Sequence, residues 1–223
     1  MRCCCSSRPL VCSGHGAHTL LLAPAATTTL HPLHADIYSA QAKMAGGKPV
    51  YVPLRSDPEG DGPAWALDTE ELEAAITEHT RVFILNTPHN PTGKVMDAAE
   101  MEQVAAVMRR HPRVVVICDE VYEHMTYDDR AHVQFPTLPD MWQRSVTVSS
   151  AGKTFSTTGW KIGWVVGPPQ LVKGVALVNQ WVQFSVCTPL QQAVAWALQQ
   201  AQQEYQGFPS YFAYLRAEYL RKR

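Results

Sequence analysis

Arg81-Val82-Phe83-Ile84-Leu85-Asn86-Thr87-Pro88-His89-Asn90-Pro91-Thr92-Gly93 is the stretch on which the fold turns. Its opening run, Arg81–Leu85, is short, mostly apolar and rich in strand-forming residues, which predicts a buried strand. The run gives way to a polar loop stiffened by Pro88 and Pro91, with Gly93 available for a tight turn. Upstream, Asp68 followed by Glu71 reads as a helix start, with Leu72, Ala75 and Ile76 on one face. Downstream, Asp97 and Glu100 repeat that capping signal, and Met101, Val104, Ala105 and Met108 form the next apolar stripe. Val114–Cys118 is then a second buried strand. Helix and strand alternating at this spacing predict crossovers into a mostly parallel sheet, and hence an α/β fold.

Further along, Val146–Val148 and Gly163–Val166 read as two more strands. Leu190, Ala193, Val194, Ala197 and Leu198 recur at helical spacing. Gly207-Phe208-Pro209 interrupts that helix, and Ser210 can cap a last one running to Arg223. No internal repeat is evident.

A chain of 223 residues accommodates one large domain or two small ones. With 46% hydrophobic and 17% charged residues it has the composition of a soluble globular protein. A formal net charge of −1 offers no electrostatic footprint for nucleic acid or an anionic membrane. No apolar run approaches the roughly 20 residues needed to span a bilayer. The six cysteines include three in a row and no C-x-x-C pair, so neither a disulfide framework nor a metal site is expected. Reduced thiols suggest a cytoplasmic protein. Residues 1–35 contain no acidic side chain and are left unassigned: they are compatible with a mitochondrial or plastid transit peptide, or with an altered start to the domain.

Three polar constellations sit at predicted strand ends, the edge where open α/β sheets bind ligands. The first is the loop Asn86–Gly93. In the second, Cys118-Asp119-Glu120-Val121-Tyr122-Glu123, the Asp119 carboxylate follows five apolar residues and needs a cationic or hydrogen-bonding partner. A protonated ring nitrogen fits that need, with Tyr122 adding a phenol. The third, Ser149-Ser150-Ala151-Gly152-Lys153-Thr154-Phe155, places Lys153 among small residues that admit a bulky ligand. A partly desolvated lysine near other cations can lose its proton and act as a nucleophile. Ser150, nearby backbone amides and Lys161 together can hold a phosphate dianion. Taken singly, each has an ordinary structural reading: a strand-to-helix turn, a carboxylate pair capping a turn, and a solvated lysine in a Gly-Ser loop.

Taken in order, Asn-Pro-Thr-Gly, then Asp-x-x-Tyr, then Ser-x-x-Lys with a second cation at Lys161, the pattern resembles the fold-type I, class I/II aminotransferases. Met44-Ala45-Gly46-Gly47, Asn86–Val95, Asp119–Tyr122 and Ser150–Gly167 are similar to the kynurenine aminotransferase and cysteine-conjugate β-lyase branch. The resemblance covers roughly Asp36 to Arg223. It implies the three-layer α/β/α large domain of a pyridoxal 5'-phosphate (PLP) enzyme over residues 36–223. Lys153 would be the Schiff-base lysine and proton shuttle, and Asp119 the partner of the pyridine nitrogen. Asn90 and Tyr122 would bond the ring's phenolate oxygen. Ser150 and Lys161 would hold the phosphate, with Lys161 in place of an arginine found in some relatives. Amino acids and 2-oxo acids would be the substrates, in a ping-pong cycle, with β-elimination as a related outcome and a homodimer as the assembly.

Other parts of the family pattern are weak or missing. A Gly-rich phosphate clamp has only Gly14-His15-Gly16-Ala17 as a candidate. The ring-stacking aromatic has only His34 in its neighbourhood. The small domain that grips the substrate carboxylate would lie beyond Arg223, so the large domain is expected to be incomplete at both ends, with core surface exposed around Tyr211–Leu220. The alternative expectation is a non-catalytic family member that keeps the fold or acts through subunit association. A P-loop or dinucleotide binder is not supported, because neither glycine fingerprint is present.

Overall fold

In chain order the elements are β1 (Val11–Ser13), β2 (Thr27–Leu30), α1 (Ala35–Met44), β3 (Lys48–Tyr51), β4 (Leu54–Asp57), β5 (Ala64–Leu67), α2 (Thr69–Ala75), β6 (Thr80–Asn86), α3 (Ala98–Arg110), β7 (Val115–Asp119), β8 (Ser145–Ser150), α4 (Ala151–Thr154), β9 (Gly163–Val166), α5 (Pro169–Val182), α6 (Thr188–Gln200) and α7 (Tyr211–Lys222). They come from a computed structural model that describes residues 11–13, 27–30, 35–57 and 64–223. The four strands expected from sequence are present with ends shifted by a few residues at most. Asp97 forms the expected capping box with Glu100 at the start of α3. Asp68 caps α2 by accepting from the amides of Glu70 and Glu71. Ile76, expected on the α2 stripe, instead follows the helix in extended backbone.

Seven strands form one sheet in the order β1-β9-β8-β7-β6-β2-β3. The five strands from β8 to β3 pair in parallel, whereas β9 runs antiparallel to both β8 and β1. β4 and β5 form a separate antiparallel pair. Two strands, β1 and β2, come from the first 35 residues and both join the main sheet.

Side-chain alternation along the strands creates the three layers, because successive residues face opposite sides of a sheet. On β6, Phe83 and Leu85 join the cluster that contains Leu72 of α2 and Met101, Val104 and Met108 of α3. Val82 and Ile84 face the other way and pack on Tyr38 and Ala42 of α1. On β7, Val116 and Cys118 join the first cluster, and Ile117 packs on the opposite one. β8 and β9 give Val146, Val148 and Val165 to the side covered by Val172 of α5. Each large side chain fully buried this way contributes roughly 1.5–3 kcal/mol relative to exposure. Gly167, just after β9, has no room for a side chain: a Cβ there would lie 2.8 Å from Val146 Cγ1 and 3.0 Å from the Ser145 carbonyl.

Exposed apolar surface falls only in part within the Tyr211–Leu220 span where it was expected. Leu215 of α7 is buried, and Tyr211 packs its ring on Phe155 at 5.3 Å while its phenol donates to the Thr154 carbonyl at 2.9 Å. Tyr205 and Phe208 stack edge-on to Tyr214, so most of the helix's aromatic face is covered. Leu220 at the end of α7 does stay exposed, and a longer run of exposed large side chains lies on α5, α6 and the link between them: Leu177, Trp181, Val182, Phe184 and Trp196, with Trp181 and Phe184 both 82% exposed. Among the described residues no helix is long and apolar enough to cross a membrane.

Candidate active site

Parallel register brings the three constellations side by side. Asn86 pairs with Asp119 across β6 and β7, and Asp119 pairs with Val148 across β7 and β8. β6, β7 and β8 therefore end at one edge, and the loops that leave them meet there.

Asn86 is the brace of this edge. Its side-chain amide donates to the Asp119 carbonyl at 3.0 Å, and its side-chain oxygen accepts from the Asn90 amide at 3.0 Å. The Thr87 amide donates to the same Asp119 carbonyl at 3.2 Å. The loop beyond carries cis peptide bonds before Pro88 and Pro91 and a left-handed Gly93. The Asn90 side-chain amide lies 3.3 Å from the Tyr122 phenol oxygen.

Asp119, last in β7, points its carboxylate at α1, where the Tyr38 phenol donates to it. Burial first, and then the Asp119 charge, hold the Tyr38 phenol well above the usual tyrosine range. The phenol therefore keeps its proton and stays a donor. The Val121 amide approaches the other carboxylate oxygen at 3.4 Å.

Lys153 sits in α4, the single turn that follows β8. Its ammonium lies 5.8 Å from the centre of the Tyr122 ring, within the range of a cation–π contact. Ser150 caps that turn, accepting from the Gly152 amide at 3.1 Å, and its hydroxyl faces the Ile162 carbonyl at 3.4 Å. The Ala151 amide donates to the same carbonyl at 3.1 Å. These two bonds tie the Lys161–Ile162 segment to the N-terminus of α4. Lys161 is exposed and holds a left-handed backbone, φ 57°, ψ 36°.

Asn90, Asp119, Tyr122 and Lys153 are thus linked through direct contacts or the Asn86 brace. Ser150 shapes the turn that carries Lys153, and Lys161 borders it. Gly14–Ala17 and His34 lie outside the described residues. An apolar groove of about 570 Å³, lined by Phe155, Trp160, Pro189 and Trp196 among others, includes none of the predicted site residues. Among the described residues no group of three or more His, Cys, Asp or Glu side chains is arranged to hold a metal, and Cys118 and Cys187 are free thiols.

Sequence reasoning assigned no role to Tyr38 or Asn86. Asn86 had a local signal, a polar residue ending an apolar strand. Tyr38 had none, since its partner is 81 residues away.

The family model for aminotransferase class I and II matches residues 15–223. The chain belongs to that family. Among similar aminotransferases, the kynurenine–oxoglutarate transaminase of Dictyostelium discoideum is 46% identical over 198 residues, covering 84% of this chain and 44% of the relative. Kynurenine–oxoglutarate transaminase 1 of Homo sapiens is 43% identical over 182 residues, covering 79% of this chain and 43% of the relative. The structure of N-succinyldiaminopimelate aminotransferase from Mycobacterium tuberculosis superposes with a TM-score of 0.82 at 39% identity, over 91% of this chain and 50% of that one. The chain therefore spans half or less of the length of these aminotransferases. The match begins in the segment that composition left unassigned, in keeping with β2 and its place in the sheet.

Proposed function

We propose that the chain carries the cofactor site of a PLP-dependent aminotransferase, moving an amino group from an amino acid to a 2-oxo acid. The observation that carries this reading is the meeting of Asp119, the Asn90–Tyr122 pair and Lys153 at three adjacent strand ends. The residues fit the cofactor. A partly buried carboxylate held by the Tyr38 phenol suits a protonated ring nitrogen. The Asn90 side-chain amide and the Tyr122 phenol lie 3.3 Å apart, so a ring oxygen between them would have two donors within reach. Ser150 and Lys161, beside the amides opening α4, offer donors and charge to a phosphate.

Bound there, the cofactor supplies an electron sink for the pair left behind when the substrate's α-proton departs. The protein's own groups do the rest. Lys153 would hold the cofactor covalently and would also be the base that takes up and returns the substrate's α-proton. Asp119 keeps the ring nitrogen charged, and the Tyr38 phenol fixes the carboxylate that does so. Asn86 holds the two loops in register. The relatives named for kynurenine and oxoglutarate favour an amino donor of the kynurenine type, and a glutamine-type donor is the alternative within this reading. A good leaving group at the substrate's Cβ would divert the same proton removal to β-elimination, so a β-lyase side activity belongs to this reading. A homodimer is the expected assembly. A second reading, a chain that keeps the fold and acts by association, is favoured by the exposed Trp181, Phe184 and Trp196.

The test is a visible absorption spectrum of the purified chain with added PLP. Wild type is expected to show a yellow band of the lysine adduct that borohydride traps on Lys153, and Lys153→Ala to lack it entirely. Discharge of the band by single amino acids then ranks the donors. A folded wild-type chain without a Lys153-dependent band would move the association reading to the front.

A further inference from the structure

Asp119 has an acidic neighbour that the reaction does not use. Glu120 is fully buried, and its carboxylate lies 3.1 Å from Nε2 of His132, whose side chain is only 7% exposed. The separation is that of an ion pair, while the alignment is not that of a hydrogen bond. A buried carboxyl without a partner is strongly disfavoured, so each of these two groups depends on the other. Residues 120 and 132 bracket the first part of the β7–β8 connection, the loop that carries Tyr122.

We propose that Glu120 and His132 form a buried clamp that closes this loop onto the end of β7 and so positions Tyr122 between Asn90 and Lys153. The backbone is consistent with a clamp at one end. The Glu120 amide donates to the Val148 carbonyl of β8 at 3.0 Å, and the Glu123 amide donates back to the Glu120 carbonyl at 2.9 Å. The Met125 amide then bonds the Tyr122 carbonyl at 2.8 Å, so Tyr122 sits inside two successive turns that start at Glu120. Phe135, just beyond His132, is fully buried in the cluster shared with α3, which anchors the other end. The two adjacent carboxylates therefore have different tasks: Asp119 is held by α1, and Glu120 holds the loop.

Other ionisable groups around the clamp act on it electrostatically. Asp119 and Cys118 approach from β7, Glu123 and His124 from the loop, and Arg216 of α7 from beyond His124. Burial and then Glu120 raise the Glu123 carboxyl, while His132, Ser149 and Gln134 act in the opposite direction. His132 therefore acts electrostatically on both Glu120 and Glu123, but Glu123 has partners of its own in His124 Nε2 at 3.8 Å and the Ser149 hydroxyl at 3.3 Å, so Glu120 is the carboxyl that depends on His132.

This inference rests on the proposed function for what Tyr122 does, but the clamp can be tested without the cofactor. Amide hydrogen exchange would be measured on the full chain in wild type, Glu120→Gln, His132→Asn and the double variant. The Glu123 and Met125 amides are expected to exchange about tenfold faster in either single variant, with the β6 and α3 amides unchanged. The double variant should be no faster than the singles, since the clamp is already open. Two single variants guard against one that fails to fold. Unchanged loop exchange in both singles, or equal acceleration in β6, α3 and the loop, would overturn the clamp. With PLP added, the pH midpoint of the Lys153 band should shift in the single variants and not in Trp196→Ala. Absence of that band from wild type would defeat the PLP reading and leave the exchange result to decide the clamp.

Discussion

α3 and α5 are helices of nearly equal length with opposite fates. α3 buries Met101, Val104, Ala105, Val107 and Met108 against the sheet and α2. α5 buries Val172 and leaves Leu177, Trp181 and Val182 exposed, and α6 buries Val194 while Trp196 is uncovered. Both sides of the sheet are built from apolar stripes at helical spacing, but only the α3 side finds enough partners within the described residues. The difference bears on function. Asn90 and Tyr122 hang from strands anchored in the α3 cluster, so the geometry of the site draws on the better-packed side of the fold.

The largest expected effect tests this contrast directly. Met101→Ala should cost about 3–5 kcal/mol, because it opens a cavity in a closed core. Trp196→Ala, at a side chain 61% exposed, should cost less than about 1 kcal/mol. Urea midpoints of the two variants measure both. Equal losses would mean that the α5–α6 side is as well packed as the α3 side, and the contrast would collapse.

A second prediction concerns the junction of the two regions. His124, in the loop that carries Tyr122, stacks on Phe212 of α7 at 4.0 Å. Burial, and then the charges of His132 and Arg216, push the His124 imidazole down from 6.5 to about 4. As pH falls, the unfolded chain takes up this proton before the folded one. The stability it contributes is thus fully present above pH 6.5 and is lost as pH falls toward 4. Allowing for partial solvent access, that loss should be about 1–2 kcal/mol. His124→Phe keeps a ring on Phe212 and removes the titration. Its urea midpoint should fall less than that of wild type between pH 7.5 and 4.5, and parallel curves would refute the assignment.

Legibility followed sequence distance. Strands β6, β7 and β9 are readable as short, largely apolar runs, β8 from its β-branched Val146-Thr147-Val148, and α3 because Asp97 and Glu100 announce it just ahead of Met101. The site's backbone was readable for the same reason, since Asn90, Asp119 and Lys153 each follow such a run. β2, by contrast, is Thr-Thr-Thr-Leu and carries little apolar signal, yet it becomes an interior strand through pairing with β3 and β6. α5 carries a sequence signal in Pro169 at its first position ahead of Leu171, Val172 and Val175. Tyr38 on Asp119 and His132 on Glu120 had none, because such contacts depend on the assembled sheet.

The smallest effect separates the two regions at the level of a single turn. Asp97 begins α3 with a reciprocal box, accepting from the Glu100 amide at 2.9 Å while Glu100 accepts from the Asp97 amide at 2.9 Å. Ser210 begins α7 with one bond, from the Ala213 amide at 3.1 Å. Asp97→Ala removes the side-chain acceptor of the box and leaves the Glu100 amide of a helix with five buried side chains without it, while the residue 97 amide can still donate to Glu100, so it should cost about 1–2 kcal/mol. Ser210→Ala removes one bond from a helix that buries Leu215, and water can replace it, so about 0.5 kcal/mol is expected. Loss of a cap matters in proportion to how firmly packing holds the helix in place: a loosely held end can fray and recover its hydrogen bonds from water, but one held against a closed core cannot. If Ser210→Ala proves the costlier of the two by urea denaturation, α7 is held more firmly than its single buried leucine implies. The boundary between the well-packed and the open region would then lie beyond α7, on α5 and α6 alone.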